Sequence, residues 1–68
     1  MIMHPVSSSD IRSIGYENGT LHIQFRSGGL YAYHGVPVSV YQAFVNASSH
    51  GRYFHAHIKG RYGDTRIG

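Results

Sequence analysis

The chain contains no cysteine and no tryptophan, and only three of its 68 residues are acidic. Without cysteine there can be no disulfide bonds, and a metal site built on thiolates is excluded. No apolar run approaches the roughly 20 residues that a membrane-spanning helix needs. The first residues also lack the basic and apolar segments of a secretory signal, so we expect a cytoplasmic protein without a membrane partner.

The length of the chain allows a single domain, which we place at residues 10–68 after a short lead-in at residues 1–9. Six lysines and arginines against three acids give a net charge of +3 at pH 7. This balance suits a polyanion partner such as RNA, DNA or an acidic protein surface. It also lies within the range that keeps an ordinary small domain soluble, so charge alone does not select a partner.

Alternation of apolar and polar residues predicts three antiparallel strands. These strands are Ile11–Tyr16, Thr20–Arg26 and Leu30–His34. The second strand is the clearest, because the alternation continues over its whole length. Glu17-Asn18-Gly19 and Ser27-Gly28-Gly29 supply turn residues that tolerate positive φ on either side of it. In the first strand, strict alternation would place Ile11 and Ile14 on opposite faces of the sheet.

Two registers are open for the second hairpin. With a two-residue loop, Tyr31 and Tyr33 share the polar face of the sheet. With a three-residue loop and Gly28 in the left-handed region, Tyr31 faces Ile23. Tyr33 then faces Leu21. We favour the three-residue loop, because it forms aromatic–aliphatic cross-strand pairs on the buried face.

The period of the sequence changes after Gly35-Val36-Pro37. Pro37 suits the first position of a helix, where its missing N–H costs nothing. Val40, Tyr41 and Phe44 then recur at helical spacing. We therefore predict a helix of about three turns over residues 37–47, covering the apolar face of the sheet.

A second short helix is predicted at Arg52–Lys59. His50-Gly51 is expected to end the first helix, and Gly60 to end the second. The tail at residues 61–68 allows a fourth strand. The predicted fold is therefore α+β: a three-stranded antiparallel meander, four-stranded if the tail joins it, packed on one face by a helix, with a second short helix near the C-terminus.

Six sequence motifs are distributed over nearly the whole chain: V-S-S-S-D-I, G-Y, L-H-I-Q-F-R-S-G-G-L-Y-A-Y, G-V-P-V-S-V-Y, A-S-S-H-G-R-Y-F and I-K-G-R-Y. Their order and spacing, from Val6 to about Arg66, resemble those of the KTSC domain. That family is named for its occurrence at the C-terminus of some lysyl-tRNA synthetases, and it also includes stand-alone bacterial proteins. The resemblance implies a domain of this size without an established function, for which RNA binding has been suggested, and it carries over no catalytic residues.

Basic and aromatic residues are interleaved in the C-terminal third of the chain. The candidate nucleic-acid-binding residues there are Arg52, Tyr53, Lys59, Arg61, Tyr62 and Arg66. Such residues combine phosphate contacts with base stacking, which predicts a weak, salt-dependent RNA or nucleic-acid binder. The alternative for these six is a solvated helix face and tail. Tyr31 and Tyr33 are likewise either a stacking platform or half-buried core residues.

The remaining polar residues form no recognisable catalytic or metal-binding pattern. The three acids are scattered along the chain, and no glycine-rich loop leads from a strand into a helix. His55 and His57 point to different sides of a helix. We therefore expect a non-catalytic binding module without metal, cofactor or small-molecule substrate. Besides RNA or another polyanion, the alternative partner is a protein, including a second copy of the chain in a homodimer.

Overall fold

The computed structural model describes all residues from Met1 to Gly68. The strands are β1 (His4–Pro5), β2 (Ile11–Glu17), β3 (Thr20–Phe25), β4 (Leu30–Tyr33) and β5 (Asp64–Arg66). The helices, α1 (Val38–Val45) and α2 (His50–His57), lie in the chain between β4 and β5. All five strands form one antiparallel sheet in the order β1-β2-β3-β4-β5. The predicted α+β meander with two helices is confirmed. The lead-in and the tail each add an edge strand to it.

Strand β2 departs from strict alternation at Arg12. Ile11 pairs with Phe25, whereas Ser13 pairs with the residue directly before Phe25. One extra residue therefore lies in β2 at this point, which is a β-bulge. The bulge turns Ile11 to the same face as Ile14, and these two side chains are 0% and 1% exposed. The prediction that they lie on opposite faces is wrong.

The second hairpin has the favoured register. Tyr31 pairs with Ile23 across β3 and β4. Tyr33 pairs with Leu21 in the same ladder. Gly28, in the loop, has φ 114°, a backbone conformation that side chains other than glycine rarely adopt. The three-residue loop is therefore confirmed, and both tyrosines project toward the face that carries the helices.

Helix α1 begins directly after Pro37. Pro37 has φ −64° and ψ 151°, so it is extended and occupies the N-cap rather than the first helical position. Its fixed φ suits this position too, because an N-cap residue is not yet helical. Asn46 ends α1 with φ −90°, without a left-handed residue.

Helix α2 begins two residues earlier than predicted. The Ser49 side chain accepts a hydrogen bond from the Arg52 N–H at 3.2 Å, which is the pattern of an N-cap serine. His50 and Gly51 therefore belong to α2, and the prediction that they end the first helix is wrong. Gly60, with φ 77°, follows the end of α2 as expected. Neither helix has the length and apolarity required to cross a lipid bilayer.

One apolar core fills the space between the sheet and the two helices. Its nine buried residues are Ile11, Ile14, Leu21, Ile23, Tyr33, Val36, Phe44, Phe54 and Ile58. Helix α1 contributes Phe44, which is 0% exposed. Helix α2 contributes Phe54 and, just beyond its end, Ile58. Both helices are thus held on the same face of the sheet.

The segment between β4 and α1 is fixed by two hydrogen bonds at Val36. The Val36 N–H donates to the Gly19 carbonyl at 2.8 Å. The Val36 carbonyl accepts from the Tyr16 hydroxyl at 2.6 Å. The Tyr16 ring also stacks on Tyr41 of α1, with centroids 4.5 Å apart and planes 9° apart. These contacts join the first hairpin to the start of α1.

Candidate nucleic-acid interface

An open groove of about 670 Å³ lies between α2 and the end of the sheet formed by the β3–β4 hairpin. Four aromatic residues line it: Phe25, Tyr31, Tyr33 and Phe54. We call this the aromatic groove. Arg26, His55 and Lys59 are among its polar lining residues, together with the acids Asp10 and Asp64. Aromatic rings and charged side chains of both signs therefore line the same groove.

The rings of the aromatic groove pack edge to face. Phe25 and Tyr31 have centroids 5.7 Å apart at 79°, and Phe25 and Phe54 are 5.3 Å apart at 65°. Tyr33 meets Phe54 at 5.5 Å and 75°. Edge-to-face aromatic pairs stabilise a fold by more than the burial of their apolar area alone would give. The four rings are therefore held in place without a ligand.

The two tyrosines of β4 have different roles in this packing. Tyr33 is only 5% exposed and belongs to the core. Tyr31 is half-buried and packs on the edge of the core. Tyr33 is therefore a core residue and not part of a stacking platform. Tyr31 is the ring with surface left to contact a ligand.

Arg66 of β5 lies over the Tyr31 ring. The two residues pair across β4 and β5, which turns their side chains to the same face. The guanidinium carbon is 5.8 Å from the ring centroid, within the range of a cation–π contact. The Arg66 Nε donates to the Gly68 carbonyl at 3.1 Å, which orients the group. A cation and an aromatic ring thus stand side by side at the groove.

The Tyr33 hydroxyl has an altered acidity. Burial raises the pKa of Tyr33 to about 12, and the negative charge of Asp64 and the neighbouring Tyr31 act in the same direction. The hydroxyl therefore stays protonated at physiological pH. It can therefore donate a hydrogen bond in the groove.

The six residues predicted from the C-terminal third do not converge on one surface. Lys59 borders the aromatic groove, and Arg66 lies over Tyr31. Arg52 lies elsewhere on α2, beside a hollow in which five of the 10 lining residues are serines. Tyr53 packs against Phe44 and His57, with centroids 5.9 and 4.5 Å away.

The last two predicted residues follow α2. Arg61 is exposed in the turn after the helix, and Tyr62 is half-buried against the core. The six predicted residues did not include Arg26, and Tyr31 was predicted only as one of two alternatives, a stacking platform or a core residue. Both belong to the second hairpin, whose register was predicted correctly. The pairing of β4 with β5 brings Arg66 to Tyr31, and the packing of α2 brings Lys59 to the groove that Arg26 also lines.

The serine-lined hollow has a structural explanation. The Ser8 hydroxyl accepts backbone N–H bonds from Asp10 and Ile11, each at 3.3 Å. Ser49 caps α2, as described above. The hydroxyls of Ser8 and Ser49 therefore satisfy backbone donors. Nowhere in the 68 residues do three His, Cys, Asp or Glu side chains cluster as a metal site would require.

Comparison with known proteins assigns the fold to a family. The family model described as the KTSC domain matches residues 7–62. The chain therefore belongs to the KTSC domain family, as its motifs indicated. A solved structure described as a KTSC domain protein from Yersinia pestis matches with a TM-score of 0.96 and 49% sequence identity. The match covers 98% of this chain and 97% of that one.

Other relatives include both a small protein and parts of larger ones. An uncharacterized protein of Stutzerimonas stutzeri is 42% identical over 59 residues, which cover 84% of this chain and 83% of the relative. A lysine–tRNA ligase of a Nostoc species is 43% identical over 56 residues, or 79% of this chain. The match covers only 10% of that ligase. The likeness therefore concerns one small part of the ligase and is consistent with a small binding module.

Proposed function

We propose that this domain binds single-stranded RNA weakly through the aromatic groove, as a non-catalytic module. The contact between Arg66 and Tyr31 carries the proposal, because it places a phosphate-binding cation beside a ring that can stack on a base. Arg26 and Lys59 add two further cations along the same groove. The presence of a similar segment in a lysine–tRNA ligase supports RNA as the polyanion.

The number of cations sets the expected strength and salt dependence. With about three phosphates neutralised, the logarithm of the affinity falls with the logarithm of the salt concentration at a slope of roughly −2. Raising the salt from about 50 to 200 mM should then weaken binding roughly 20-fold. One base stacked on Tyr31 contributes about 1–3 kcal/mol to the free energy of binding, so the affinity remains modest.

The test measures fluorescence anisotropy of a short, labelled, single-stranded RNA pool at these two salt concentrations. Lys59→Gln and Arg66→Gln should each weaken binding and reduce the salt slope by about 0.7. Arg52→Gln is the matched control, because it removes the same charge from α2 outside the groove. An affinity that does not change with salt would refute the proposal. Equal losses in all three variants would refute the groove as the site.

Protein binding is the second candidate function. It is favoured by exposed apolar residues near the two chain ends: Ile2, Ile67 and Met1 are 76%, 49% and 48% exposed. Met1 and Ile2 precede β1, and Ile67 follows β5, so these residues flank the two unpaired edges of the sheet. An exposed edge strand can pair with a strand of a partner chain, including a second copy. Sedimentation equilibrium at several protein concentrations tests self-association. A dimer that Ile67→Asn dissociates, together with absent RNA binding, would favour this function over the first.

A further inference from the structure

We infer that Met1, Met3 and His22 form a binding site for a soft monovalent metal ion, Cu(I), on the sheet face opposite the helices. This site is separate from the aromatic groove and does not depend on RNA binding. Its donors are two thioether sulfurs and one imidazole nitrogen.

Both methionine sulfurs lie over Gly15. The Sδ atom of Met3 is 2.8 Å, and that of Met1 2.9 Å, from the position that a Cβ atom would take on Gly15. The two sulfurs therefore occupy the space left by the missing side chain and stand close to each other. Gly15 is buried beneath them.

His22 lies on the neighbouring strand and on the same face of the sheet as the two sulfurs. It is the direct partner of Gly15 in the β2–β3 ladder. Directly opposed residues project from the same face, with Cβ positions about 4.5–5.5 Å apart. This face is the one opposite the core, because the adjacent Ile14 and Ile23 are both buried beneath the helices. The imidazole is thus attached beside the two sulfurs.

The chemistry of these donors selects the ion. Thioethers are soft ligands that favour Cu(I), and imidazole also binds copper well. Zinc sites are instead built from cysteine, histidine and carboxylate ligands, and the structure contains no cluster of three such residues. None of the three donors is an anionic ligand such as a thiolate or carboxylate, so the site is suited to a single positive charge. A bound ion would also tie the start of the chain to β2 and β3.

The first experiment uses the untagged full chain with ¹³C-methyl-labelled methionine and silver(I), a stable stand-in for Cu(I). The chain has only two methionines, so both methyl signals in the NMR spectrum report on the proposed site. One equivalent of Ag(I) should shift both methyl signals and the ring signals of His22. Methyl signals that stay in place, or that follow only a large excess of silver, would overturn the inference.

The second experiment measures Cu(I) affinity under anaerobic conditions by competition with a chromophoric chelator. Met3→Leu conserves side-chain volume and should keep the fold intact. Met3→Leu and His22→Gln should each weaken Cu(I) binding by at least about tenfold. His57→Gln, on α2, is the matched control and should bind as the unaltered chain does. Equal affinity in all three variants would assign copper binding to other groups and overturn the site.

Discussion

Replacing Tyr16 with phenylalanine tests the connection between the first hairpin and α1. The Tyr16 hydroxyl donates to the Val36 carbonyl at 2.6 Å, and Val36 is only 1% exposed. Tyr16→Phe keeps the ring and its stacking on Tyr41, but it leaves a buried carbonyl without its donor. An unsatisfied buried acceptor costs about 1–3 kcal/mol. In a domain of this size that loss lowers the melting temperature by about 5–20 °C.

Urea and thermal unfolding followed by circular dichroism give the free energy of unfolding for this comparison. Tyr41→Phe is the matched control, because it removes a hydroxyl from the other ring of the stack and leaves the bond to Val36 intact. Tyr41→Phe should change the free energy of unfolding by no more than about 0.5 kcal/mol. If Tyr16→Phe proves as stable as Tyr41→Phe, the hydroxyl bond does not hold this segment, and the reasoning fails.

Three further predictions concern the sheet, the core and alkaline stability. In Gly15→Ala the new Cβ would stand 2.8 Å from the Ile2 carbonyl oxygen, so urea unfolding should show a loss of about 1–3 kcal/mol. Unchanged stability would contradict this close contact. Phe44→Ala should lower the free energy of unfolding by about 3–5 kcal/mol, so that NMR spectra show much of the chain unfolded. Val45→Ala, at a position that is 39% exposed, should leave the chain folded. Equal costs for these two variants would contradict the central place of Phe44. Because the pKa of Tyr33 is raised from 10.0 to about 12, the unfolded chain loses this proton first, and stability should fall as pH rises through this range. Urea midpoints should show a smaller alkaline loss in Tyr33→Phe, and an equal loss would refute the assignment.

Local chemistry explains why the hairpins could be predicted from the sequence. Asn18 and Gly19 have φ values of 53° and 79°, the two left-handed residues that an Asn-Gly turn requires. The second hairpin followed from the side-chain pattern, since only one register places Tyr31 opposite Ile23 on the apolar face. Both features depend on residues close together in the chain.

The features that escaped prediction depend on distant residues. Strand β1 has two residues, too few for a periodic pattern, and it exists because it pairs with β2. The bulge at Arg12 is likewise defined by its partner strand. In the candidate site, Lys59 and Arg66 were recognised by charge and by neighbouring aromatics. Arg26 was not predicted, because its place in the site depends on how α2 packs against the sheet, and the sequence pattern does not specify that packing.

The exposure of strand β5 provides a way to detect ligand binding by amide hydrogen exchange. Its three residues, Asp64–Arg66, are all exposed, and its outer edge has no neighbouring strand. Such edges open locally at little cost in free energy, so amide hydrogens there exchange rapidly. Because Arg66 projects from this strand over Tyr31, RNA that engages Arg66 should slow exchange at β5 more than elsewhere. Slower amide exchange in this edge strand would then report occupancy of the groove.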